Sequence, residues 1–391
     1  MSKTEWKEYK LGEIYEVHNG LSKGREFFGS GYPFISFSTV FNKWFIPEII
    51  TDLAQTTESE QESYSIKAGD ILVTRTSETA DELGMSCVAL KDIPKATYNG
   101  FCKRMRQYNK DIDVDPKYVG YYMRNPEFRK NFQAFAGSMS TRASLTNDAL
   151  LGLTIKLPPL AEQQRIAKIL SSLDDKIELN NAINRNLEEQ AQAIFKNWFI
   201  DFEPFGGEMP EDWKMGTVAD IIVSHDSKRI PLSSMQRDSM KKIYPYYGAT
   251  SCMDYVEDYI FDGIYLLLGE DGTVVDKDGF PILQYVEGKF WVNNHAHILT
   301  GKSGYSVEML YLFFSMTKVQ EIVTGAVQLK ISQGRLNGLT AIIPNEKTSK
   351  AFDEIIQPMF RQIRLIRQQN QNLTILRDTL LTKLMCGEFG V

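Results

Sequence analysis

The sequence predicts an α+β protein: two α/β globular parts separated by a long antiparallel two-helix coiled coil, with a pseudo-two-fold internal repeat. Three observations carry that reading. Motifs recur in the same order at half the chain length, loop-rich and glycine-poor stretches alternate twice, and both glycine-poor stretches keep an unbroken 3–4 spacing of apolar residues. Trp6-Lys7 with Leu11 and Ile14 recurs as Trp213-Lys214 with Val218 and Ile221. Tyr32-Pro33-Phe34 recurs as Tyr244-Pro245-Tyr246, the strand-like Ile71–Thr74 lines up with Tyr265–Leu268, and Asn99 with Asn293. From Leu150 onward one constant offset pairs Leu153-Thr154 with Leu339-Thr340, Pro158 with Pro344, and Asn186-Leu187 with Asn372-Leu373.

The first part, 1–158, is rich in short β-type runs broken by Gly, Pro, Asn and Asp, such as Gly69-Asp70-Ile71-Leu72-Val73-Thr74, which reads as a mixed α/β domain. The next, 159–202, is almost free of Gly and reads as one long helix. Ile166, Leu170, Leu173, Ile177, Asn180, Asn184, Leu187, Ala191, Ile194 and Trp198 follow steps of four and three. The third, 203–344, repeats the loop-rich pattern, with Asp262-Gly263 opening an apolar run. The last, 345–391, repeats the helix with Phe352, Ile356, Met359, Ile363, Ile366, Asn370, Leu373, Arg377, Leu380 and Leu384. Both sets match the a and d positions of a coiled-coil seam, and Asn184 and Asn370 occupy the same seam position, where a buried amide fixes register. At ~1.5 Å per residue, Leu160 to Phe202 spans roughly 65 Å, so the helices bridge rather than sit inside a domain. Pro358 predicts a kink or break, because proline lacks the N–H that bonds one turn back.

Composition bounds the rest. With 391 residues, 43% of them apolar, the chain is too apolar for wholesale disorder and long enough for two domains. No uninterrupted apolar run is long enough to span a bilayer, and the charged N-terminus has no apolar segment, so secretion is not expected and a cytoplasmic location is. Cys87, Cys102, Cys252 and Cys386 are scattered, which argues against a zinc ribbon and fits a reducing compartment. Catalytic patterns are missing: no phosphate loop, no dinucleotide fingerprint, no nucleophile elbow. Leu157-Pro158-Pro159-Leu160 lacks both the amide and the aromatic of the adenine-methyltransferase turn. His295 and His297 would share one face of a strand, which permits a metal, but no third ligand is evident and no metal site is expected. Asp81-Glu82 and Glu270-Asp271 read as solvated acidic pairs.

The net charge of −6 argues against a nucleic-acid partner only until its distribution is read. Residues 51–100 hold 4 basic and 9 acidic residues, whereas 101–158 hold 10 and 5. Inside the basic stretch, Lys103, Arg104 and Arg106 are flanked by Tyr98, Asn99, Phe101 and Tyr108, a mixture suited to phosphate anchoring beside base-edge contacts and equally to a solvated strand. Ser140 and Arg142 sit in a hydroxyl-rich loop, and Lys330, Ser332 and Arg335 are their counterparts; such loops position phosphates or satisfy their own backbone. Arg75 and Thr76, directly after the strand-like Ile71–Thr74, join the candidates. Ser36, Ser38 and Thr39 follow the first Tyr-Pro motif, and Tyr246, Tyr247, Thr250 and Ser251 belong to the second. Matching frames with unlike loops are what two readers of different sequences require.

These residues resemble the specificity (S) subunit of type I restriction–modification systems. The likeness rests on Trp6-Lys7 with Lys10-Leu11-Gly12-Glu13-Ile14, on Gly69–Thr76, and on Leu157-Pro158-Pro159-Leu160-Ala161-Glu162-Gln163-Gln164-Arg165-Ile166. In the second half it rests on Leu268–Thr273, Val292–Ala296, Leu376–Leu384 and Gly387-Glu388. The resemblance covers essentially the whole chain. It implies that 1–158 and 203–344 are target-recognition domains, each reading one half of a bipartite site in double-stranded DNA, with 159–202 and 345–391 as a ruler between them. It also implies partners: modification subunits, two in number, that bind S-adenosylmethionine and methylate adenine, and restriction subunits that use ATP and Mg²⁺. This chain itself would hold no cofactor and catalyse nothing. Arg75-Thr76-Ser77 departs from the Gly272-Thr273 of the second half, which implies a differently shaped loop. The alternative reading is a non-catalytic coiled-coil interaction scaffold that does not act on DNA.

Overall fold

The computed structural model describes residues 6–77, 83–136, 143–325 and 327–387. Its first half runs β1 (Lys7–Lys10), α1 (Leu11–Ile14), β2 (Tyr15–Asn19), β3 (Phe28–Ile35), α2 (Phe37–Asn42), β4 (Leu53–Ala54), α3 (Glu58–Ser63), β5 (Ile71–Thr74) and β6 (Thr76–Ser77). It continues with β7 (Ser86–Val88), β8 (Thr97–Tyr98), β9 (Cys102–Gln107), α4 (Pro116–Arg124), α5 (Pro126–Ala136), β10 (Ala143–Ser144), α6 (Asn147–Leu151), β11 (Thr154–Leu157) and the long α7 (Leu160–Phe199). The second half runs β12 (Lys214–Thr217), α8 (Val218–Ile221), β13 (Ile222–Ser224), α9 (Ser234–Asp238), β14 (Tyr244–Tyr247), β15 (Cys252–Val256), β16 (Phe261–Gly269) and β17 (Asp271–Gly272). It ends with β18 (Leu283–Val292), β19 (Ala296–Gly301), α10 (Val307–Ser315), β20 (Leu329–Lys330), α11 (Gln333–Asn337), β21 (Thr340–Ile343) and the long α12 (Glu346–Met385).

The repeat is a repeat of topology. The antiparallel pair β1–β11 returns as β12–β21, and the pair β6–β10 as β17–β20. The sheet β2-β9-β5-β7 returns as β13-β19-β16-β18. The parallel pair β3–β8 returns as β14–β18, and its antiparallel neighbour β4 as β15. The one change of plan is β18, long enough to stand in for both β7 and β8. It merges into one six-stranded sheet what the first half keeps as two. Helix starts repeat as well: Glu13 accepts the Lys10 N–H at 2.6 Å where Asp220 accepts that of Thr217 at 2.8 Å.

Register corrects the repeat by one residue. Val73 faces Lys103 in the first half and Leu268 faces His297 in the second, so Ile71–Thr74 matches Leu266–Gly269 rather than Tyr265–Leu268. A one-residue slip exchanges the faces of a strand, and only alternation in the sequence reveals it. All four residues of β5 are buried, so no alternation exists to read.

By contact the chain divides into two compact units, Met1–Leu179 with Asn370–Val391, and Asn180–Gln369. In the first, Ile166 and Leu170 of α7 join Leu381, Leu384 and Met385 of α12 in one core with Leu11, Ile14, Val73 and Met105. Arg377 donates to Asp174 at 2.7 Å and lies over the Trp44 ring, and the Tyr121 hydroxyl reaches Asp174 at 2.5 Å. In the second, Phe195 and Phe199 pack edge-on against Phe352, Asn180 donates to Gln369 at 2.8 Å, and Arg367 reaches Glu188 at 2.9 Å. Within this second unit the pairings descend along α12 as they ascend along α7, so its two helical segments run antiparallel. Every seam position predicted above, including Leu173, Ile177, Asn184, Leu187, Ile194, Met359, Ile363, Asn370, Leu373 and Leu380, is buried or half-buried.

The break expected at Pro358 does not occur; α12 runs through it. Proline frees the carbonyl one turn back, here that of Glu354, and both residues lie on the exposed side of the helix, where water takes the lost bond. Ile356 and Phe360 are buried on either side of it and anchor the segment. Among the described residues, no helix is long and apolar enough to cross a membrane.

Candidate nucleic-acid interface

The basic cluster of β9 is internal. That strand lies between β2 and β5, with Met105 in one core and Cys102 in another, so residues 102–105 have no solvent face. Lys103 is only 4% exposed; its ammonium donates to Asn19 Oδ1 at 3.0 Å and to Asn147 Oδ1, and burial, then the nearby Arg75, lowers its pKa. Arg104, 3% exposed, donates to the Ser65 carbonyl at 2.6 Å and lies over the Tyr98 ring. Arg106 grips Asp70 at two points, 2.7 and 2.6 Å, and the hydrogen bond to Asp70 raises its pKa. Phosphate anchoring by Lys103, Arg104 and Arg106 is therefore withdrawn: Lys103 and Arg104 are buried, and Arg106 is bound to the Asp70 carboxylate.

Several hydroxyls are also structural. Ser36 caps α2 by accepting the Thr39 N–H at 3.3 Å, and the two hydroxyls bond each other. Ser332 caps α11 as Thr146 caps α6. Tyr246 is buried and its hydroxyl accepts the Leu232 N–H at 3.0 Å, while burial pushes the Tyr247 hydroxyl up to about 12. A base contact by Ser36, Thr39, Ser332 or Tyr246 through these atoms would first break that framework; Tyr247 is half-buried. Ser140 and Arg142 lie outside the described residues, as do Asp81 and Glu82.

The exposed candidates are Ser38, Thr250, Ser251, Lys330 and Arg335; Arg75 and Thr76 are half-buried. Thr250 and Ser251 form the tip of the β14–β15 hairpin, closed by the Gly248 N–H donating to the Ser251 carbonyl at 2.9 Å. A Cβ on Gly269 would stand 3.3 Å from the Ala249 carbonyl, so that tip lies against the root of β17. β17 pairs with β20, which carries Lys330, and Arg335 follows on α11. The second unit thus gathers Thr250, Ser251, Lys330 and Arg335 at one end of its sheet.

Both units build this end on one backbone frame. Arg75 N–H donates to the Phe101 carbonyl at 2.9 Å and its carbonyl accepts from Leu145 at 2.8 Å. Glu270 does the same with His295 at 2.8 Å and Ile331 at 2.9 Å. Asn99 and Asn293 each fold a turn by accepting, at 2.8 Å, the N–H two residues on, at Phe101 and at His295. On that frame the side chains differ in kind: Arg75 against Glu270, Lys103 against His297, Asn19 against Asp226.

The second frame holds a buried charged group that the motif search missed. His297 Nδ1 lies 2.6 Å from Asp226 Oδ2, and Arg229 donates to Glu270 at 2.5 Å. Burial pushes the Asp226 carboxyl up, but the His297 hydrogen bond and charge, the Ile298 N–H and Arg229 together hold it below its ordinary value. Glu270 is therefore not the solvated acid expected, and His295 precedes β19 rather than sharing a strand face with His297. Asp226, Glu270 and His297 offer atoms within 4.8 Å of one another, the spacing of a cation site. Arg229 already supplies the positive charge there, and both His297 nitrogens face acceptors. Register could have exposed this cluster: matching Asn19, Arg75 and Lys103 to the second half lands on Asp226, Glu270 and His297.

The family model described as the type I restriction modification DNA specificity domain matches residues 3–189 and 210–374. The chain is 26% identical to the type I restriction enzyme MjaIX specificity subunit of Methanocaldococcus jannaschii, over 99% of this chain and 94% of that one. It is 34% identical to the HindI specificity subunit of Haemophilus influenzae over 51% of this chain and 42% of that one. In fold it resembles the S subunit of a type I restriction–modification system from M. genitalium, with a TM-score of 0.55 at 14% identity, covering 98% and 97% of the two chains.

Proposed function

The chain belongs to the type I restriction–modification DNA specificity family, and from that premise we propose that it reads a bipartite DNA target, one half with each globular part. It performs no chemistry itself. The observation that carries this reading is the repeated frame with unlike side chains: the same backbone bonds present Arg75 and Thr76 in one unit and Glu270 and Asp271 in the other. Sequence is read by side chains at base edges, while shared backbone geometry sets their approach. Two frames bearing different side chains read different letters.

In this reading Thr250, Ser251, Lys330 and Arg335 meet the duplex in the second unit, and Arg75, Thr76 and Ser38, with Ser140 and Arg142, in the first. The paired long helices set the distance between half-sites and dock modification subunits, two in number, that bind S-adenosylmethionine; restriction subunits using ATP and Mg²⁺ complete the assembly. The test is to map methylated bases in cells that express this chain with its modification subunits. One motif of two unlike specified blocks around an unspecified spacer is expected. An uninterrupted motif, or no sequence-specific methylation, overturns the proposal.

A further inference from the structure

We infer that the buried His297–Asp226 pair positions the Lys330–Arg335 loop of the second unit for DNA contact, and that reading by this unit alone weakens when the pair is broken. The inference rests on the DNA-reading function proposed above. His297 is 1% exposed. Its Nε2 lies 2.8 Å from the Ile331 carbonyl, which can only accept, so Nε2 carries a proton. Its Nδ1 lies 2.6 Å from Asp226 Oδ2, and the other Asp226 oxygen already accepts the Ile298 N–H at 2.8 Å. A carboxylate accepts only, so Nδ1 carries a proton too, and the ring is an imidazolium bridging two elements.

The remaining charges around it are accounted for. Glu270 Oε2 is 3.7 Å from Nδ1 and is held by Arg229 at 2.5 Å, with the Lys330 ammonium at 3.4 Å from its other oxygen. Arg229 also approaches Asp226 at 3.6 Å, His225 is bonded to Thr300, and His295 faces Asp271 at 3.5 Å. Ile331 stands between Lys330 and the cap Ser332, so the bond to its carbonyl fixes the segment that carries Lys330 and Arg335. Removing the ring leaves the buried Asp226 carboxylate and the Ile331 carbonyl without their shared donor, so the tie between the two elements is lost. The first unit meets the same need differently. There Lys103 binds Asn19 and, through Asn147, the start of α6, with no imidazole at this place.

The experiment uses the full chain assembled with its modification subunits to select from a pool of DNA duplexes with randomised interiors. In His297→Gln one half-site is expected to lose about tenfold in affinity, the factor of one charged hydrogen bond, while the other is unchanged. The paired change Asp226→Asn with His297→Lys, which installs the first unit's chemistry, should restore affinity. Hydrogen exchange at Ile331–Arg335 should quicken in parallel, with exchange in the first unit unchanged. If both half-sites respond alike, or neither responds, the positioning role is wrong. If no sequence is enriched at all, it is the DNA-reading function that fails.

Discussion

Arg106 holds Asp70 through two parallel bonds while Asp70 is 1% exposed, so removing the cation strands a buried carboxylate. Breaking such a pair costs far more than the pair contributes, on the order of 3 kcal/mol or more. Arg106→Ala should therefore shift the urea midpoint by about that energy and leave the salt dependence of DNA binding in the surviving folded protein unchanged. Arg335 is the opposite case: exposed, with no ion pair recorded among the described residues. Arg335→Ala should change stability by less than about 0.5 kcal/mol and lower the slope of log affinity against log salt by about one. The sequence shows cations near one another in both cases, Lys103, Arg104 and Arg106 in one and Lys330 and Arg335 in the other. Whether a cation faces water depends on how many sides of its strand are covered, and β9 is covered on both.

The long helices were legible as elements because their apolar spacing is periodic over 40 residues each, and a covered face of that length leaves a pattern nothing else produces. Pro358 misled for the opposite reason: its cost is local, and exposure of Glu354 lets water absorb it. Pro358→Ala should then raise stability by about 1–3 kcal/mol, read as a higher urea midpoint, because a bond is regained without disturbing Ile356 or Phe360. The short helices α6 and α11 were hidden, and Ser332, the cap of α11, reads in the sequence as a ligand contact. Thr146→Ala and Ser332→Ala should each cost about 1 kcal/mol in urea denaturation. For Ser332→Ala, a loss confined to DNA binding, with full stability, would return that hydroxyl to the interface.

At the scale of the molecule, the proposed ruler makes a prediction that no single residue does. Four residues inserted near Ala182 lengthen α7 by ~6 Å, which corresponds to about two base pairs at ~3.4 Å each. Methylome mapping should show the spacer change while both half-sites keep their letters; altered letters with a fixed spacer would sink the ruler. The charge imbalance belongs here as well. Residues 203–344 hold 12 basic and 18 acidic residues, yet Lys330 and Arg335 lie exposed together at one sheet end. By itself the sequence determined the duplication, the two long helices with their covered faces, the absence of a catalytic pattern and the family, because order, period and composition survive without three dimensions. Tertiary structure alone decided the one-residue register of β16, the merging of two sheets by β18, and which polar groups face inward. Those depend on which strand lies beside which, and pairing between residues far apart in the chain leaves no local mark in the sequence.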